Sequence, residues 1–150
     1  MDLLVVGGSG FLGLEITRQA QLAGHSVMAT FHTRVPPIPG VGWRMVDIRH
    51  RDDVTALALQ TRPDVVINAA YRQSDWATTA DGGMHVALAA AAIDARLVHV
   101  SSDAVFSGTA ASYDETYLSI PSNRGDGPMP QRPSAGPLML SSSRSPDARM

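Results

Sequence analysis

The 150-residue sequence predicts an α/β fold, a Rossmann-like doubly wound parallel sheet. Three observations predict it. Short β-branched runs alternate with helical patterns along most of the chain. The first run ends in a glycine cluster that opens directly into a helix. The first run, "DLLVV", is apolar at almost every position, the profile of a strand covered on both faces, whereas a strand with one wet face would alternate. Right-handed crossovers then give the strand order 3-2-1-4-5, with a ligand crevice outside the strand C-termini where the order reverses.

Each element follows from its local text. "DLLVV" (2–6) is apolar and stops at glycine, as the first strand should. Leu12, Ile16, Ala20 and Ala23 recur at helical steps, and Gly24 ends the helix. "HSVMATF" (25–31) is the second strand. The prolines of "TRVPPIPGVG" (33–42) fix φ and lack a donor, so this stretch is a loop. "WRMVDI" (43–48) reads as the third strand, "RDDVTALALQT" (51–61) as a helix and "PDVVINAA" (63–70) as the fourth strand. An alanine-rich helix is predicted over 79–95 and a fifth strand, "RLVHV", over 96–100. From residue 118 onward proline, glycine and serine make up about half the residues and apolar periodicity is lost. The dinucleotide-binding domain is therefore placed at 1–117 and a disordered or out-of-frame tail at 118–150.

Composition excludes several classes. The formal charge is −2 and the basic residues are scattered singly, which gives no surface for tracking nucleic-acid phosphates. There is no cysteine, so disulfides and thiolate metal sites are out of reach. His85 and His99 lack the spacing and the third partner of a metal site and read as core-edge histidines. No apolar run approaches the ~20 residues that span a bilayer, and the first strand leaves no room for a signal core, so a cytoplasmic protein is expected. All twelve of the Lys+Arg residues are arginine, so no mechanism can use a lysine ammonium of this chain.

The candidate site lies along the predicted strand ends. "GGSGFLG" sets Gly7, Gly10 and Gly13 in G-x-x-G-x-x-G spacing between strand and helix. Gly7 would permit the tight turn, Gly10 the approach of a pyrophosphate to the backbone, and Gly13 close packing of the helix on the sheet. The anion would sit on the free N–H groups at the helix start. The alternative is a glycine turn serving geometry alone. After the second strand, where an acid would hold the ribose hydroxyls of NAD, the chain has His32 and Arg34. Those suit a 2′-phosphate, so NADP(H) is expected over NAD(H), unless Arg34 is a solvated loop cation. Asp47 could accept from an adenine amino group, and Asn68, Ala69 and Ala70 leave room for the second half of the cofactor. Ser101 and Ser102, before Asp103, end the fifth strand. A serine hydroxyl there could bind a substrate carbonyl, or the serines could simply cap the strand, but an unassisted serine is a poor acid.

Together "VVGGSGFLG", "VDI", "DVVINAA" and "VHVSSDAVFSG…YDET" resemble the extended short-chain dehydrogenase/reductase superfamily. Within it they are most similar to the dTDP-4-dehydrorhamnose reductase (sugar-nucleotide-binding) branch, over roughly residues 2–117. The resemblance implies a catalytic role for Ser102 and a pyrophosphate loop of Gly7, Gly10, Phe11 and Leu12. It further implies an adenine site at Asp47 and Ile48, and passage of the nicotinamide ribose past Ala69 and Ala70. Such relatives reduce nucleotide-sugar ketones with a Tyr-x-x-x-Lys pair. Tyr113 and Tyr117 come too early for that pair, and Pro121 stands four residues after Tyr117. A further strand and the substrate domain are also missing, so the fold is expected to be truncated and the chain inactive by itself. The other readings are a non-catalytic dinucleotide-binding regulatory subunit, as methionine adenosyltransferase has in this branch, and a non-functional truncated product. A dinucleotide, and with it a nucleotide-sugar, are the expected ligands; a protein partner is not specified.

Overall fold

A computed structural model describes residues 1–102. The predicted boundary at 117/118, the tail, Asp103, Tyr113 and Tyr117 lie outside the described residues. The element order is β1 (Asp2–Val6), α1 (Phe11–Leu22), β2 (Ser26–Phe31), β3 (Gly42–Met45), α2 (Arg51–Thr61), β4 (Val65–Asn68), a π-helical turn (Ala77–Asp81) running into α3 (Gly82–Ala92), and β5 (Arg96–His99). The five strands form one parallel sheet in the order β3-β2-β1-β4-β5, as the alternating pattern predicts.

The sheet has two covered faces because successive side chains of β1 point opposite ways. Leu4 and Val6 join Val54, Leu57 and Ala58 of α2, Val66 of β4 and Val86, Ala89 and Ala90 of α3 in one core. Val5 enters a second core with Val27 and Ala29 of β2, against which Ile16 and Ala20 of α1 pack. Burial on both faces explains why β1 is apolar at every position from Leu3 to Val6.

Several element bounds differ from expectation, each for a local reason. β3 ends at Met45, two residues short of Asp47, because its partner β2 ends at Phe31, which pairs with Met45. Val46 still donates to the Phe31 carbonyl at 3.1 Å, and then the chain turns, His50 N–H bonding the Asp47 carbonyl at 3.0 Å. β4 ends at Asn68 because the Asn68 side chain takes the Ala70 N–H at 3.1 Å, turning the chain out of the sheet. The third helical segment begins earlier than predicted, at Ala77, where Asp75 accepts from Thr78 N–H at 3.1 Å, and α3 ends at Ala92. Leu12, the first residue of the helical pattern, is 46% exposed, and Ala23 lies outside the helix. The face of α1 that meets the sheet is instead centred on Gly13 and Thr17. Small residues there let the helix approach too closely for a leucine.

Candidate cofactor crevice

The C-terminal ends of the strands open into a crevice of about 300 Å³. Gly7, Gly10, His32, Asp47, Ile48, Ala69 and Ala70 all line it, together with Ser9, Thr30, Arg49, Tyr71, Arg72 and Thr78. It sits over the point where the order reverses between β1 and β4.

The glycine end is built from backbone. Gly7 has φ of +77°, and a Cβ there would lie 2.6 Å from the Ala70 nitrogen. Any side chain would thus push apart the β1 and β4 termini. Gly10 N–H closes the turn on the Gly7 carbonyl at 3.0 Å. A Cβ on Gly13 would overlap the Gly7 carbonyl and come within 2.9 Å of Gly8 Cα, so the helix packs against the loop only as glycine. Two threonines fix this geometry. Thr30 Oγ1 accepts from Gly7 N–H at 2.9 Å, and Thr17 Oγ1 donates to the Gly13 carbonyl at 2.8 Å. Both threonines are buried. No side chain caps the start of α1 and its first turn carries no acid, so no side chain of that turn would compete with an anion for its dipole and N–H groups.

The opposite end is built from charge. Asp47 is gripped by Arg49: Nε lies 2.9 Å from Oδ1, Nη2 2.6 Å from Oδ2, and the Arg49 backbone N–H 3.0 Å from Oδ1. The guanidinium hydrogen bonds hold the Asp47 carboxyl well below the usual carboxylate range and push the arginine up. His32 Nε2 stands 3.7 Å from Asp47 Oδ2, and Arg49 Nη1 stands 3.9 Å from Asp75 Oδ2. Asp75 is itself held low, chiefly by the Thr78 hydroxyl and then by the Thr78 N–H. Ile48 is fixed from α3: a Cβ on Gly82 would lie 2.6 Å from its side chain, and His85 Nδ1 donates to its carbonyl at 2.9 Å.

Other predicted residues lie beside this arrangement. Asn68 is buried under the crevice, its Nδ2 paired with His99 Nδ1 at 3.1 Å. Because Asn68 Oδ1 takes the Ala70 N–H, its amide must donate to His99, which leaves Nδ1 of that ring the acceptor. Phe11 is fully exposed and Leu12 half-exposed at the start of α1, and neither lines the crevice. Arg34 is exposed and is not among the lining residues, whereas His32 is. Ser101 and Ser102 follow β5 and are exposed. Sequence reasoning missed Arg49, Thr30, Gly82 and the crevice contact of Arg72. Only Arg49 left a trace in the text, as a cation two residues from the carboxylate of "VDIR". Among the described residues no group of His, Cys, Asp or Glu could hold a metal ion. Nor is any described helix long and apolar enough to cross a membrane.

The same text and geometry recur in known proteins. A dTDP-4-dehydrorhamnose reductase of Mycobacterium tuberculosis is 34% identical over 116 residues, which cover 71% of this chain and 34% of that enzyme. A hypothetical dTDP-4-dehydrorhamnose reductase from Sulfolobus tokodaii superposes with a TM-score of 0.71 at 27% identity, over 81% of this chain and 46% of that one. The Bordetella bronchiseptica enzyme WbmG, solved in complex with NAD and UDP, shares the fold alone: TM-score 0.69 at 21% identity, over 79% of this chain and 43% of its own. The chain thus spans about a third of the length of the mycobacterial relative. The model of the RmlD substrate binding domain matches residues 1–125, and the chain belongs to that family.

Proposed function

We propose that the chain is the dinucleotide-binding portion of a nucleotide-sugar ketone reductase that prefers NADP(H) to NAD(H). One observation carries the reading: the glycine turn, the uncapped α1 terminus, Asp47–Ile48 and Ala69–Ala70 converge on one crevice at the switch point of the sheet. Gly7, Gly10 and the start of α1 fit a pyrophosphate. Asp47 and Ile48 fit the adenine, and Ala69 and Ala70 leave space for the nicotinamide ribose. A bound nicotinamide supplies hydride to a carbonyl. Ser102, which matches the serine or threonine of the resemblance, would hold that carbonyl.

The preference for a 2′-phosphate rests on charge. His32 and Arg34 follow β2, no acid stands there, and the nearest crevice carboxylate, Asp47, is already engaged by Arg49. Fluorescence titration of the chain with NADPH and NADH tests this. Tighter NADPH binding that weakens in His32→Ala and Arg34→Ala is expected; equal affinity for the two cofactors would overturn it.

By itself the chain is expected not to reduce a dTDP-4-keto sugar. General acid catalysis contributes ~10²–10⁴-fold, and without lysine no Tyr-x-x-x-Lys pair exists to supply it. Consumption of NADPH dependent on such a sugar, and abolished by Ser102→Ala, would show another acid at work.

A further inference from the structure

We infer that His99 is a positioning residue for the dinucleotide: only as a neutral imidazole, acting through the buried amide of Asn68, does it hold the Ala69–Ala70 wall of the crevice. The inference rests on the dinucleotide reading above and gives a role to a histidine that does not itself line the crevice.

Asn68 ends β4 in register with Val6 of β1 and His99 of β5. Its side chain is buried, and both ends of its amide are spent. Oδ1 accepts from the Ala70 N–H and Nδ2 meets His99 Nδ1, each at 3.1 Å. Since Nδ2 can only donate, Nδ1 must accept, which a neutral ring does with its proton on Nε2 and a protonated ring cannot do. Gly83 of α3 stands over the pair. A Cβ there would lie 3.2 Å from His99 Cε1 and 3.9 Å from Asn68 Nδ2, so α3 covers the bond closely.

The other end of this relay is the crevice. Ala69 and Ala70 line it, and the Ala70 nitrogen packs against Gly7 of the glycine turn. His99, in contrast, is exposed, so a proton from solvent can reach it. Protonation of Nδ1 sets two donors face to face. Turning the Asn68 amide over satisfies the imidazolium but leaves Nδ2 against the Ala70 N–H, again donor against donor. Either way the amide can no longer satisfy both neighbours, and a buried donor without an acceptor is costly. The anchor is thus present above the titration of the ring and lost as pH falls through it. Among the described residues, the elements packed on His99 carry few other ionisable groups. β4 has none, α3 has only His85, whose Nδ1 donates to the Ile48 carbonyl, and Asp81 just before α3 is exposed. Arg96, three residues away on β5, points to the opposite face of the sheet.

Calorimetric titration with NADP⁺ from about pH 8 to about pH 5, the range in which imidazoles change charge, tests the relay. It compares wild type with His99→Asn, whose amide oxygen replaces the Nδ1 acceptor and never ionises, and with His99→Leu, which has no acceptor. His32 and the phosphates of the cofactor titrate in all of them, so the ratios of affinities isolate position 99. Wild type and His99→Asn are expected to bind within about threefold of each other at the alkaline end, with wild type weaker by about tenfold at the acid end. His99→Leu is expected to bind about tenfold more weakly than His99→Asn throughout. A merely structural role would leave the ratio of wild type to His99→Asn independent of pH, which would overturn the inference and spare the dinucleotide reading. Equal affinities of the asparagine and leucine variants would do the same. A folded wild type that binds no NADP⁺ at either end overturns both. Should His99→Asn not fold, the wild-type Ala70 amide decides: its NMR shift must move with pH at the midpoint of the His99 ring signals, and a shift that does not follow that midpoint overturns the inference.

Discussion

The two ends of the crevice hold their shape by different means. At the glycine end the determinants are backbone: a positive φ at Gly7, a helix that tolerates no Cβ at Gly13, and two buried threonines bonded to the loop. At the other end they are side chains, the charges of Asp47, Arg49 and Asp75 with the His32 ring beside them, partly open to water. A backbone requirement is all-or-none and local, so a substitution there damages the fold. A charge cluster near the surface is screened and replaceable, so a substitution there changes selectivity and titration behaviour with little loss of stability.

The largest expected effect tests the backbone half of that contrast. Gly13→Ala places a Cβ against the Gly7 carbonyl and Gly8 Cα, atoms that move only if α1 or the loop moves. Overpacking of this kind costs ~1–3 kcal/mol, and with backbone as the obstacle the loss should lie at the upper end. Urea denaturation should show it as a lower midpoint with unchanged slope, along with lost dinucleotide binding. An unaltered midpoint would mean that α1 can retreat from the loop without penalty.

A smaller effect is expected one contact away. Thr30→Val keeps the shape but deletes the acceptor for Gly7 N–H, leaving a part-buried donor without a partner. That costs about 1–3 kcal/mol, whereas Thr30→Ser retains the hydroxyl and should cost less. Amide hydrogen exchange at Gly7 reads the same event directly: exchange should accelerate in the valine variant and stay near the wild-type rate in the serine variant.

How far each end was legible in the sequence follows from the same distinction. Strand order and the glycine spacing could be read because β-branched runs, glycine and proline carry their constraint in the residue itself. The exposure of Leu12 could not be read because periodicity finds an apolar face without measuring how closely a helix approaches, and here Gly13 and Thr17 are the buried face of α1. β3 was read too long because strand ends depend on the partner, and β2 stops at Phe31. Asp47 was legible as a strand-end carboxylate. Its fork with Arg49 was not, since "VDIR" gives adjacency and only the turn after Met45 brings the guanidinium back onto the carboxylate. Thr30 and Gly82 were invisible for a related reason: each acts on a residue distant in sequence, Gly7 and Ile48, that only the fold brings near.

The smallest expected effect on stability sharpens the charged half. Asp47 is held below the ordinary carboxylate range by Arg49, so its folded-state pKa is lower than its unfolded one. A depressed carboxylate contributes stability that is present above the unfolded value, about 3.9 for aspartate, and is lost as pH falls through the folded value. Arg49→Gln removes the cause, so the Asp47 carboxyl should return toward the ordinary range. Carbon-detected NMR of the carboxyl resonance from pH 6 down to the acid limit of the fold gives the answer. In wild type the signal should stay at its ionised position well below pH 3.9, whereas in Arg49→Gln it should move near that value. Because the pair is partly solvated, the thermal midpoints of the two proteins at neutral pH should lie close together. A large drop at neutral pH would make the fork part of the folding scaffold and erase the difference between the two ends of the crevice.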